Sequence, residues 1–396
     1  MAKEVILLKL GTYNGVQGEK SKLEDAEIEK QLTYLNKPAV KIVKTKYGDI
    51  YDCVDFYKQH AFDHPLSKDH NFHPKMKPTL SRIKQKSGAT TNSRSSMIWS
   101  NGGGCPFGTV PVKRITKDDF IRQRHMPPPE NITFDAQLSF SRNNSDPKGR
   151  YISSQGYKLA IARTPNNPSN KFGGAGMKAS LYNPYVESRQ HSACRLKIQK
   201  GSDILQVGWR AGKTHCFNTL CPGFVQVNSK IPLDMSYMDT ISRRGGTTWE
   251  DTMYIDRDLA NGNWWLLISK NYEQVGFWPQ WIFTDLANFA TNVEWGGVAY
   301  SPPGVRVPPM GSGFFPVKDS SYDSYSLRYM LINIGPFFHN VFPTLARYLI
   351  QYAYKRPRQG ANNKREHMLG VQNARTQSAK YLQNKSSSCT KGRNRN

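Results

Sequence analysis

Thr291-Asn292-Val293-Glu294-Trp295-Gly296-Gly297 is the stretch whose reading decides the fold. Alternation along a strand puts Val293 and Trp295 on one face and Glu294 and Gly296 on the other. The apolar face requires a core. The other face carries a carboxylate beside a glycine, which leaves room for an approaching backbone. A second stretch, Ile204-Leu205-Gln206-Val207-Gly208-Trp209, has the same pattern with an amide in place of the acid. Two such strands facing one another would bring Gln206 and Glu294 into one groove.

Short alternating runs surround these two stretches. They include Lys158–Arg163, Gly176–Leu181, Cys194–Ile198, Thr252–Ile255 and Trp264–Ile268, with turn signals such as Asn183-Pro184 and Asn261-Gly262 between them. The spacing predicts an all-β fold, an antiparallel β-sandwich over residues 150–320. Phe283–Ala290 reads as one helical insertion, capped by Thr284 or Asp285.

The N-terminal part differs. Leu23–Leu35 has helical periodicity, and Val40–Asp55 reads as two strands around Tyr47-Gly48-Asp49. Thr116 is placed to cap a helical turn, with acids behind it. A small α+β prosegment over residues 23–130 is therefore expected. The glycines of Asn101-Gly-Gly-Gly-Cys105 read as a flexible hinge, and His60, His64, His70 and His73 as solvated loop residues. Residues 127–150 are rich in proline and polar side chains, a stretch suited to a processing cut. Residues 321–396 read as a divergent basic tail, disordered in part.

The chain has 396 residues and a net charge of +25. That charge suits a polyanionic surrounding, with acidic polysaccharide as one candidate partner. No zinc-finger or RNA-recognition signature accompanies it, so no specific nucleic-acid partner is expected. No apolar run is long enough to span a membrane. Val5-Ile6-Leu7-Leu8 is too short for a signal-peptide core, so no signal peptide is visible. Cys216 and Cys221 are close enough in sequence for a small bridged loop. They also match half of a zinc site, but no second half follows. No metal or cofactor is expected.

An amide and a carboxylate in one groove suit water-mediated amide hydrolysis. Glu294 would take a proton from water and pass it to the leaving nitrogen, while the Gln206 amide donates to the developing oxyanion. Trp264, Trp265, Phe277, Trp278 and Trp295 would either wall that groove or fill the core. Rival constellations are weaker, since the chain has no Gly-x-Ser-x-Gly elbow and no His-Glu-x-x-His pair.

Further motifs carry a resemblance. They are Gly48-Asp-Ile-Tyr-Asp-Cys53-Val-Asp, Phe62-Asp-His-Pro65 and Cys105-Pro-Phe-Gly-Thr-Val-Pro111 in front, and Cys221-Pro-Gly-Phe224, Gly262-Asn-Trp-Trp265, Gly276-Phe-Trp-Pro279 and Glu294-Trp-Gly-Gly297 behind. The chain resembles the neprosin family, secreted plant glutamic peptidases that cut after proline. The resemblance implies a secreted zymogen whose prosegment acts as an intramolecular inhibitor until acid processing. It also implies a peptide or protein substrate and the bridges Cys53–Cys105 and Cys216–Cys221. It pairs Glu294 with a second glutamate, yet Gln206 stands at that place. A segment the family carries between this strand and Cys216 is absent, and the chain end diverges. Fungal glutamic peptidases of the eqolisin type use a Gln–Glu pair, so the amide is compatible with an endopeptidase. The alternative is a non-catalytic basic β-sandwich that binds cell-wall polysaccharide or proteins.

Overall fold

Alternating strands with turn residues between them dictate sheets, and sheets dominate the structure. It is a computed structural model and describes residues 17–67, 70–79, 99, 103–123, 156–187, 189–211, 223–234, 236, 238–317, 319–333 and 347–348. The N-terminal part holds helix α1 (Gln17–Leu35), strands β1 (Ala39–Lys44), β2 (Ile50–Asp55) and β3 (Thr109–Lys113), and helix α2 (Lys117–Gln123). The hairpin β1–β2 turns at Gly48, whose φ of +88° favours glycine. Helix α2 is capped reciprocally: Asp119 N donates to Thr116 Oγ1 at 3.1 Å, and Thr116 N donates to Asp119 Oδ2 at 3.2 Å.

The rest forms the expected β-sandwich. Strands β4 (Tyr157–Arg163), β12 (Asn292–Tyr300), β6 (His191–Lys200) and β7 (Asp203–Ala211) make a four-stranded antiparallel sheet in that order. A seven-stranded sheet packs on it: β14 (Arg347–Tyr348), β13 (Ser326–Asn333), β5 (Phe172–Ser180), β9 (Glu250–Arg257), β10 (Trp264–Ile268), β11 (Glu273–Trp278) and β8 (Val225–Gln226). Strand β13 lies within the stretch expected to be a divergent tail, and it pairs with β5. The basic segment from residue 355 onward lies outside the described residues. The core between the sheets holds Met177, Leu196, Ile198, Leu205, Ile255, Trp264, Val293 and Trp295. Trp295 Nε1 donates across it to the Gly176 carbonyl at 3.1 Å, so the buried indole is satisfied and ties the two sheets together.

The N-terminal unit covers the outer face of the seven-stranded sheet. Val54, Phe56, Ala61, Phe72, Val110 and Val112 share one buried cluster with Val225, Tyr254, Trp265, Leu267 and Phe277. Phe72 also stacks on Trp281 at 4.8 Å. Backbone groups lock the two parts. Gln59 Nε2 donates to the Gln226 carbonyl at 3.1 Å, and Gln226 N donates to Gln59 Oε1 at 2.8 Å. Cys105 N donates to the Ser229 carbonyl at 2.8 Å. Gly104 therefore sits in a close approach rather than a hinge: a Cβ there would lie 3.0 Å from Lys230 Cα and 3.0 Å from the Ser229 carbonyl. The bridge Cys53–Cys105 is formed and ties β2 to this docking loop. Cys216 and Cys221 lie outside the described residues.

Two further expectations change. Phe283–Ala290 is not a helix but a string of bends and turns after a short 3₁₀ turn, Gln280–Ile282. Its backbone amides are claimed by the Asp203 carboxylate, which accepts from Thr284, Asp285 and Leu286 at 2.8, 2.6 and 3.0 Å. Trp264 Nε1 holds the Leu286 carbonyl at 2.8 Å. These tertiary bonds override the local helical preference. His60, expected in solvent, is only 3% exposed, and neither ring nitrogen makes a full hydrogen bond. His70 stacks on Phe62 at 4.0 Å.

Burial first, and then the Lys37 ammonium, hold the His60 imidazole below its ordinary value of 6.5. Lys37 and Asp63, which form an ion pair at 2.7 Å, are the charged groups around the ring. The folded unit therefore favours the neutral ring, while the unfolded unit takes up a proton as pH falls through 6.5. His60 thus gives full stability above that pH, and the contribution declines below it. Protection factors for amide exchange over β1–β3, taken relative to the intrinsic rate at each pH, should fall as pH drops from 7 to 5, and His60→Leu should flatten that slope. An unchanged slope would remove His60 as its source.

Candidate active site

Strand β12 is buried along its whole length, so both of its faces must be packed. Val293 and Trp295 face the core, which leaves Glu294 and Gly296 on the outer side. The register then builds the site. Glu294 lies opposite Arg163 on β4 and Lys197 on β6, and Lys197 lies opposite Gln206 on β7. The next row on the same face is Ile161, Gly296, Arg195 and Gly208.

Gln206 and Glu294 thus share one face of one sheet, with β6 between them. They do not come from two strands facing one another. Alternation fixes which face a residue takes but not the order of strands, which explains the difference. Backbones two strands apart in a sheet are separated by about 9–10 Å. The Arg195 guanidinium bridges the gap, donating to Gln206 Oε1 at 3.1 Å and reaching Glu294 Oε2 at 3.5 Å. Lys197 Nζ stands 3.6 Å from the same Glu294 oxygen. Glu294 is 1% exposed and Lys197 2%, while Gln206, on the edge strand, is exposed. A buried carboxylate with two cations beside it is charge-compensated.

The aromatics considered for groove walls lie elsewhere. Trp264 and Trp295 fill the core between the sheets, and Trp265 and Phe277 lie beneath the N-terminal unit. Trp278 packs on Phe224, with ring centres 4.7 Å apart. Sequence reasoning missed Arg195 and Lys197. The signal was present in Cys194-Arg195-Leu196-Lys197-Ile198, where the two cations alternate with core residues and so share a face. On the other face of β6, burial pushes the free Cys194 thiol up to about 12, which leaves it protonated and a poor nucleophile. Among the described residues no cluster of His, Cys, Asp or Glu is arranged to hold a metal ion.

The docked N-terminal unit and the β-sandwich correspond to an activation peptide ahead of the domain it serves. Residues 42–163 match the family model of the neprosin activation peptide, and residues 199–341 match that of neprosin. The chain belongs to the neprosin family, a peptidase family. The second match contains both Gln206 and Glu294. Residues 164–198 lie between the two matches and supply Arg195 and Lys197. Among the described residues no helix is long and apolar enough to cross a membrane.

The compensated carboxylate sets an expectation for stability. Glu294→Leu leaves two buried cations beside an apolar side chain and should cost about 3 kcal/mol in denaturant unfolding. Glu294→Gln keeps an acceptor for Arg195 and should cost less. Losses below about 1 kcal/mol in both variants would show that the charges beside Glu294 are not balanced by it.

Proposed function

We propose that the chain is a secreted endopeptidase of the glutamic type, cleaving peptides after proline, with Glu294 and Gln206 as its reacting pair. The carrying observation is the orientation imposed on Gln206. A guanidinium has only donors, so the amide turns its oxygen toward Arg195 and its N–H groups away. Those N–H groups are then available to a substrate oxygen. Glu294 takes the proton of the attacking water and passes it to the leaving nitrogen, while the Gln206 amide donates to the oxyanion. The bridge Cys53–Cys105 suits an oxidising, extracellular setting. The prosegment at residues 23–130 serves as the intramolecular inhibitor and the sandwich from residue 150 as the catalytic domain; the described prosegment residues dock on the other sheet, while Glu294 is almost wholly buried beside Arg195 and Lys197.

The test is turnover of a proline-containing peptide at acid pH by protein cut between α2 and β4. Glu294→Gln should lower kcat about 1,000-fold. Activity unaffected by that substitution would remove Glu294 from the mechanism.

One observation favours a second reading. Both Arg195 and Lys197 stand against the same carboxylate oxygen, an arrangement that also suits a purely structural ion cluster. The chain would then be a non-catalytic basic sandwich that binds acidic polysaccharide. Salt-sensitive binding to polygalacturonate without peptide cleavage would decide for it.

A further inference from the structure

No direct hydrogen bond joins Gln206 to Glu294. Their backbones are about 9–10 Å apart, with β6 between them. Each is bonded instead to the Arg195 guanidinium that lies between them. Arg195 is placed for this. Its neighbours in register on either side are Gly208 and Gly296, so no side chain at those positions fills its row. That vacancy gives the guanidinium a lane between Gln206 and Glu294. Gly208 is also required for the strands to pair closely: a Cβ there would lie 2.0 Å from the Cys194 carbonyl oxygen and 2.8 Å from Arg195 Cα.

We infer that Arg195 is the positioning residue of this site, holding the Gln206 amide and the Glu294 carboxylate as one unit through one guanidinium. Its effect on turnover rests on the peptidase reading above; its coupling of the two side chains does not. The planar guanidinium presents separate nitrogens to two acceptors, Nη1 to Gln206 Oε1 at 3.1 Å and Nη2 to Glu294 Oε2 at 3.5 Å. Lys197 adds charge at 3.6 Å from Glu294, but an ammonium is a compact point charge without that fork. Arg195 itself is only 8% exposed, so its position is set by packing and its hold on Gln206 is not lost to free rotation. In the proposed reaction it acts through Gln206 by turning the amide N–H groups toward the substrate oxygen. It also holds the Glu294 carboxylate in register while the carboxylate carries the proton. The two glycines, which from sequence alone suggested space for a substrate backbone, serve instead to make room for this side chain.

The experiment uses Arg195→Met and Arg195→Lys in the full chain, with the connector cut afterwards. Arg195→Met should lower kcat about 100-fold, the scale of losing one preorganised donor, with KM altered less than about threefold. Arg195→Lys should recover part of the charge effect but not the wild-type kcat. Adding Gln206→Ala to Arg195→Met should cost less than about threefold more, because the two residues act as one unit. Full additivity, or a loss of KM alone, would overturn the inference. Absence of turnover in the cut wild-type protein would instead sink the peptidase reading. Thermal unfolding then decides on Arg195: a Tm loss in Arg195→Met/Gln206→Ala smaller than the sum of the single losses supports the coupling, and an additive loss overturns it.

Discussion

Strand β12 is buried on both faces, and this constraint shapes the rest of the molecule. A strand packed on both sides has no solvent to absorb its polar side chains. Its apolar face is settled by Val293 and Trp295 in the core between the sheets. Its polar face carries an acid at 1% exposure, and an acid so placed needs opposite charge close by. Strand β6 supplies that charge from two positions two residues apart, as the period of a strand requires. The carboxylate, the cations and the amide on β7 are therefore consequences of one strand's burial together with the register of its neighbours.

Much of this was legible in the sequence. The alternation in Thr291–Gly297 and in Ile204–Trp209 gives the correct faces for Glu294 and Gln206, because side-chain direction is a local property of a strand. Strand order is not local. Nothing in either stretch says that β6 lies between them, so the two residues read as partners across a groove rather than along a sheet. The cations of β6 were hidden for a related reason: an alternating Arg and Lys on a strand looks the same whether its polar face meets water or a buried acid. His60 was misread because the covering side chains come from distant segments. The stretch from Phe283 to Ala290 has a helical pattern, yet its amides are claimed by Asp203, some 80 residues earlier in the chain.

The two halves of the chain meet on the sheet that does not carry Glu294. The N-terminal unit seals the outer face of the seven-stranded sheet, whereas the acid sits on the outer face of the four-stranded one. Any influence of the described N-terminal residues on Glu294 must therefore pass through the thickness of the sandwich or along the chain that joins the two. Among the described residues, the docking surface and the reacting surface are built from different strands.

The apolar cluster under the N-terminal unit has a further consequence. Val54, Phe56, Phe72 and Val112 do not rest on a finished surface; with Trp265, Leu267 and Phe277 they complete a core that neither piece holds alone. Cutting the connector is therefore a nick rather than a release. The two fragments share that cluster, joined further by a reciprocal pair of hydrogen bonds between the Gln59 side-chain amide and the Gln226 backbone, and parting them would wet both faces at once. A cleaved chain would in this respect be a two-chain molecule, and dissociation of its first part would be a separate event from cleavage, governed by whatever loosens that shared interior.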